Sequence, residues 1–163
     1  RSRPGGRSCR RARRRAAVSG DTDGLTTGPI GWLNPMDPVA WCHDGVQQGV
    51  YRNLRLAKYQ IDARLDIRGR SSALALDELL SFIKDCTQHG IRTVMISFGT
   101  GNSLRSSGNM LKSYLHLWLP QLPQVMAFHS ALPQHGGRGS LYVLLRKSEE
   151  ARLANLEHHQ KRR

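Results

Sequence analysis

The sequence predicts an α/β domain, a two-layer sandwich in the order β-α-β-α-β-β, with a mixed four-stranded sheet and flanking N- and C-terminal helices. Three observations predict it. Short apolar runs alternate with amphipathic helical patterns between residues 61 and 146. The first two of these runs each lead through a glycine-bearing turn into a helical pattern. The last two are joined by "ALPQHGGRG", a loop whose proline and glycines suit a chain reversal. At 163 residues the chain has the length of one domain with tails.

Residues 1–31 are dominated by Arg, Gly, Ser, Thr and Asp with almost no large apolar side chain, and read as a disordered basic tail. Residues 32–60 form a second unit. Its "WLNPMDPVAW" has two prolines and two tryptophans and reads as a strap lying on a surface. In "HDGVQQGVYRNLRLAKY", Val46, Val50 or Tyr51, and Leu54 share one helical face and leave Arg52, Arg55 and Lys58 toward solvent. The α/β unit covers 61–146. "IDARLDI" is its first strand; "SSALALDELLSFIKDCTQHG" has a serine cap, Leu76, Leu79, Leu80 and Ile83 at helical spacing, and Gly90 as its stop. "IRTVMISF" is the second strand, "NMLKSYLHLWLP" a helix ending at Pro120, and "PQVMAFHS" and "SLYVLL" the last two strands. Residues 147–163 read as a charged C-terminal helix. Two successive β-α-β units make the first three strands parallel, with both helices on one face.

Charge narrows the partners. Lys and Arg number 25 against 12 Asp and Glu, and eight of the bases lie in residues 1–15, so the remainder carries a net of only +5. An excess of this sign suits a polyanion, whose phosphates release counterions when Lys or Arg neutralise them. No run approaches the ~18 apolar residues of a membrane span. Cys9, Cys42 and Cys86 are odd in number and widely spaced, which fits reduced thiols in a cytoplasmic protein better than a disulfide framework or a zinc cluster. A monomer is the expectation.

In a parallel α/β sheet, ligands meet the loops at the carboxyl ends of the strands. Those loops are "DIRGRS", "FGTGNS" and "HSALPQHGGRGS". The second lacks the third glycine of a dinucleotide fingerprint, and no P-loop signature is present. Between Asp85 and Glu149 there is no carboxylate, whereas Arg92, Arg105, Lys112, Arg138 and Arg146 fall in that stretch. Backbone N–H groups of Gly99, Thr100, Gly101, Gly136 and Gly137, with Arg105, Lys112 and Arg138, therefore form a surface suited to a phosphodiester backbone. The same scarcity of acids argues against a two-metal site rich in carboxylates, which could draw only on the first strand and its flanks. Asp66 is the acid placed at this edge, either as a cap or ion-pair partner of Arg64, Arg68 or Arg70, or as a functional carboxylate. His129 and His135 are the acid-base candidates, each with a satisfied or solvated histidine as the alternative. His116 and the pair His158 and His159 read as surface.

Three turns, "LDIRGR" (65–70), "FGTG" (98–101) and "HGGRGSLYVLL" (135–145), resemble the Smr (small MutS-related) domain family, whose pattern runs LDLHG, HGxG and GGxGA. The flanking "GVYRNLRLAKYQIDARLD" and "WLPQLPQVMAFHSA" resemble its stand-alone proteobacterial SmrA-type members. The resemblance covers about residues 45–160. It implies nicking or cleavage of structured DNA or RNA, with Asp66 at the acidic position of the first motif and the glycines of the other two in place. It also marks two departures, Arg68 and Phe98, at positions where the family keeps histidines. Arginine stays protonated and can hold a phosphate but not act as a base; phenylalanine can at most stack on a base. On this reading Asp66 positions or activates water, a Mg²⁺ ion if used would sit on Asp66, Arg68 and Arg138 bind phosphate, and His129 or His135 supplies the missing proton transfer. A nucleic-acid-binding module without cleavage is the alternative.

Overall fold

The computed structural model of the chain describes residues 25–101 and 103–147. Its elements are β1 (Ala40–Cys42), α1 (Gln48–Arg55), β2 (Ala63–Asp66), α2 (Ser72–Gln88), β3 (Thr93–Ser97), α3 (Ser107–Trp118), β4 (Val125–Ser130) and β5 (Ser140–Leu145). Tight 3₁₀ turns at Pro133–His135 and Gly137–Gly139 lead into β5.

The apolar run "SLYVLL" decides the sheet. A strand apolar at successive positions must cover both faces, which an interior place provides. All six residues of β5 are buried, and the strand order is β1-β4-β5-β3-β2. β2 and β3 are parallel neighbours, while β5 is antiparallel to both β3 and β4. The first three predicted strands therefore do point the same way, but β3 and β4 are not adjacent because β5 lies between them. The α/β class holds, with five strands rather than four. The additional strand is β1, from the segment read as a strap, which pairs antiparallel with β4 through Ala40 and His129. Three residues are too few to show an alternating pattern, so nothing in the sequence marked them.

α2 and α3 cover one face of the sheet. Leu76, Leu79, Ile83, Leu111, Leu115 and Trp118 meet Val94, Ile96, Phe98, Leu141 and Val143 there, all nearly without exposure. Ser71 caps α2 through the Leu74 N–H (3.3 Å), and Ser106 caps α3 through the Asn109 N–H (3.3 Å). The other face is covered by α1, whose Leu54, Val50 and Tyr51 pack on Met95, Ala127, Tyr142 and Leu144. α1 stops at Arg55, short of the predicted Tyr59. There the Lys58 N–H bonds the Asn53 carbonyl (2.9 Å) and the Ala57 N–H the Leu54 carbonyl (3.1 Å), with Ala57 in the left-handed region at φ 57°.

The segment before β1 is fastened by polar groups on α3. Trp118 Nε1 donates to the Thr26 carbonyl (2.7 Å), the Tyr114 hydroxyl to that of Gly28 (2.6 Å), and Asn109 Nδ2 to that of Leu33 (2.8 Å). Lys112 Nζ donates to the carbonyls of Asn34 (2.7 Å) and Asp37 (2.8 Å). Leu25 enters the core. Backbone carbonyls, invisible to a composition argument, thus fasten the described part of the stretch read as a tail, residues 25–31, to α3. Residues 1–24 of the basic tail and 148–163 of the charged C-terminal segment lie outside the described residues. Cys42 and Cys86 are free thiols.

Inserting β5 between β3 and β4 presses the third loop onto the second. The Gly139 carbonyl accepts the N–H groups of both Phe98 (2.9 Å) and Gly99 (3.1 Å). A Cβ on Gly139 would lie 2.8 Å from the Thr100 backbone nitrogen, and one on Gly108 only 2.3 Å from the Gly99 carbonyl oxygen. Gly139→Ala is expected to destabilise by about 1–3 kcal/mol in urea unfolding, because backbone rather than a flexible side chain must move. Ala57→Gly is expected to stabilise by about 0.5–1 kcal/mol by relieving the left-handed alanine.

Candidate nucleic-acid interface

The carboxyl ends of β2, β3 and β4 share one edge, and the loops that follow them meet there. In the first loop Ile67 is fully buried and its N–H bonds the Ser97 carbonyl (2.9 Å), so Asp66 and Arg68 on either side are turned outward. The reversal closes with the Arg70 N–H on the Ile67 carbonyl (3.1 Å) and Gly69 at φ 75°. Both oxygens of Asp66 are held by Arg68: Oδ1 accepts from its backbone N–H (3.0 Å) and Nε (2.9 Å), Oδ2 from Nη2 (2.7 Å). These bonds from the Arg68 guanidinium, then its backbone N–H, pull the Asp66 carboxyl down to about 2. The pair is well exposed, so it fixes orientation more than it adds stability. Beside it, Arg70 Nε donates to Glu78 Oε1 on α2 (3.1 Å), a second acid at this turn that the sequence reading did not place here.

Strand register extends the site across the sheet. Asp66 is opposite Ser97, and Ser97 opposite Ser140, whose hydroxyls lie 3.1 Å apart. Asp66, Ser97 and Ser140 thus form a polar row about 10 Å long, given a strand spacing of ~4.8 Å. Ser97 and Ser140 were not singled out from the sequence. The signal available was a serine ending one strand and another beginning the strand that pairs with it, which needs the pairing to be read. At the far end of the row, Gly136 packs against the Ser140 hydroxyl, and His135 Nδ1 is bonded to the Tyr142 hydroxyl.

The predicted site residues divide. Asp66, Arg68, Gly99, Thr100, Gly101, His135, Gly136, Gly137 and Arg138 stand in or beside the three meeting loops. Arg105 is exposed on the approach to α3, and Arg138 is exposed with Nη1 on the Met36 sulfur (2.7 Å). His129 sits one register step inside the edge, opposite Tyr142, with Nδ1 on the Ser130 carbonyl (2.8 Å) and its ring beside Tyr51 of α1. Lys112 is not at the interface. It is 2% exposed and its ammonium is consumed by two carbonyls of the strap, so it is a structural cation whose pKa burial lowers. Phe98 does not face the edge either, being packed in the core beneath the sheet, where it cannot stack on a base. His116, read as surface, is half-buried with its ring against Phe128, and burial, with Lys112 nearby, lowers its pKa.

The residues do not fit a protein-held Mg²⁺. Among the described residues no three His, Cys, Asp or Glu side chains are grouped closely enough to hold a metal ion, and Asp66 and Glu78 are each turned onto an arginine. A cleft of about 260 Å³ lined by Leu25, Leu80, Ile83 and Leu122 shares no residue with the interface. No helix among the described residues is long and apolar enough to cross a membrane.

The family model of the Smr domain matches residues 65–146, opening at β2 and closing just past β5. The chain belongs to the Smr domain family. It is 36% identical over 138 residues to the "Probable DNA endonuclease SmrA" of Escherichia coli K12, covering 85% of this chain and 74% of that protein. It is 37% identical over 113 residues to the "Ribosome rescue factor SmrB" of Aliivibrio salmonicida, covering 69% of this chain and 60% of that protein, less than two thirds of its length. Its structure resembles the crystal structure of YdaL, a stand-alone small MutS-related protein from Escherichia coli, with TM-score 0.69 and 36% identity over 76% of this chain and 94% of that one. Within this Smr domain all three motif turns lie on the edge described above, whereas the strap, β1 and α1 precede the family match and support it from outside.

The Asp66 carboxyl is expected to titrate with a midpoint near 2 in NMR spectra, and Arg68→Gln to move it back toward the ordinary 3.8. Because the folded value is depressed, any stability from this pair is present above about pH 4 and is lost as pH falls through 2. A limb in a binding or activity profile between pH 5 and 8 then belongs to another group.

Proposed function

We propose that the protein is a nucleic-acid endonuclease whose three edge loops seat a phosphodiester backbone of structured DNA or RNA. The observation that supports this best is the Asp66–Arg68 pair aligned in register with Ser97 and Ser140 and flanked by the glycine turns. Arg68 Nη1 makes no hydrogen bond among the described residues, so with Asp66 holding Nε and Nη2 it is free to meet a phosphate oxygen. In this reading Asp66 orients Arg68, Arg68 stabilises charge developing on the phosphorus centre, and Arg138 and Arg105 hold the neighbouring backbone. His135, in the loop at the other end of the row, is preferred to His129 as the proton-transfer group, since His129 sits one register step inside the edge with its ring beside Tyr51 of α1.

A binding module without cleavage is the second reading, and one observation favours it: a carboxylate tied by both oxygens to arginine and held near 2 is a poor base. Nicking of supercoiled plasmid and cleavage of structured RNA decide between them. The endonuclease reading expects cleavage by the wild type and a fall of roughly 10²–10³-fold in Arg68→Ala and in His135→Ala. Cleavage undiminished in both would overturn the assigned roles. An inert wild type that binds with a steep salt dependence, with cleavage appearing only in Arg68→His, would establish the binding module.

A further inference from the structure

The bond between His135 and Tyr142 fixes more than position. Tyr142 lies on the central strand β5, is 1% exposed, and its hydroxyl oxygen accepts the Leu132 N–H (3.1 Å). Its own proton still needs an acceptor, because a buried hydroxyl that fails to donate loses its bond to water with nothing in exchange. Among the described residues the other group bonded to that oxygen is His135 Nδ1. If Nδ1 carried a proton, the hydroxyl would receive two donors and have nowhere to send its own. A bare Nδ1 would give that proton its acceptor and, in the neutral ring, leave the other proton on Nε2. The same turn is held from the backbone: the Leu132 carbonyl accepts the N–H groups of His135 (2.8 Å) and Gly137 (3.0 Å). Leu132, His135 and Gly137 thus hang together from one buried phenol, and Nε2 has no protein partner among the described residues.

We infer that Tyr142 is a positioning residue that locks His135 in the Nε2–H tautomer, so that His135 meets a substrate phosphate as a hydrogen-bond donor. This rests on the edge being the phosphodiester site, but the tautomer itself does not. Tyr142 was not marked by the sequence, where it reads as one more apolar position of a buried strand; its role comes from the hydroxyl at the end of a ring whose body belongs to the core.

Long-range ¹H–¹⁵N spectra of His135 in its neutral form test the tautomer directly. The wild type is expected to show the Nε2–H pattern and Tyr142→Phe, which keeps the ring packing, a mixture or the Nδ1–H form. An Nδ1–H wild type, or an unchanged pattern in Tyr142→Phe, would overturn the assignment. Affinity for a short structured oligonucleotide tests the consequence. Tyr142→Phe is expected to weaken it roughly tenfold, about the worth of one hydrogen bond to a charged group, and affinity equal to wild type would overturn the role toward substrate. His135→Asn, which offers Tyr142 an acceptor but has no Nε2–H, is expected to fold as the wild type and to bind as weakly as Tyr142→Phe; wild-type affinity in this variant also overturns that role. A wild type that binds no nucleic acid would end the phosphodiester reading, while the nitrogen spectra still decide the tautomer.

Discussion

The site depends on backbone meeting backbone where β5 enters the sheet. With β5 inserted between β3 and β4, one carbonyl, that of Gly139, closes the end of the sheet by accepting from Phe98 and Gly99 at once. The approach leaves no room for a Cβ at Gly139 or at Gly108, whose own backbone presses on Gly99. The glycines of the second and third loops are therefore there first for packing. Their N–H groups are largely spent on the loops themselves, those of Gly99, Gly136 and Gly137 going to the carbonyls of Gly139, Pro133 and Leu132, so that the arginines are what the packing leaves facing outward. The proposed site is thus built on a steric necessity of the sheet.

A second constraint comes from α3. The helix turns a row of donors, Asn109, Lys112, Tyr114 and Trp118, toward a segment with little regular structure and satisfies its carbonyls one by one. The segment in turn supplies β1, which covers the outer edge of β4. An uncovered β4 would present unpaired backbone groups to solvent. Lys112 shows how the two roles of a cation part company: its charge belongs to the fold, while the charge of Arg68, Arg105 and Arg138 faces outward.

Much of this was legible in the sequence. The period-3.6 stripes of α2 and α3, their serine caps and the apolar runs of β3 and β5 gave the class and the order, and strand direction gave the shared edge. "SLYVLL" was read as the last strand, and its central place between β3 and β4 comes only from the pairing. What stayed hidden were features that depend on pairing or on backbone acceptors: β1, the fastening of residues 25–39, the Asp66–Ser97–Ser140 row and the hydroxyl of Tyr142. Phe98 was misjudged for a related reason. Its position in a motif suggested the edge, but alternation along β3 carries Val94, Ile96 and Phe98 to the same buried face.

The central claim is that the edge where the three loops meet is the surface that engages a phosphodiester backbone. Amide chemical-shift mapping during titration with a short structured oligonucleotide tests it without requiring cleavage. The account predicts shifts concentrated on residues 66–70, 99–105 and 135–140, with α1 and the cleft around Leu80 and Leu122 unmoved. Shifts concentrated on α1 or on that cleft, with the three loops silent, would contradict it.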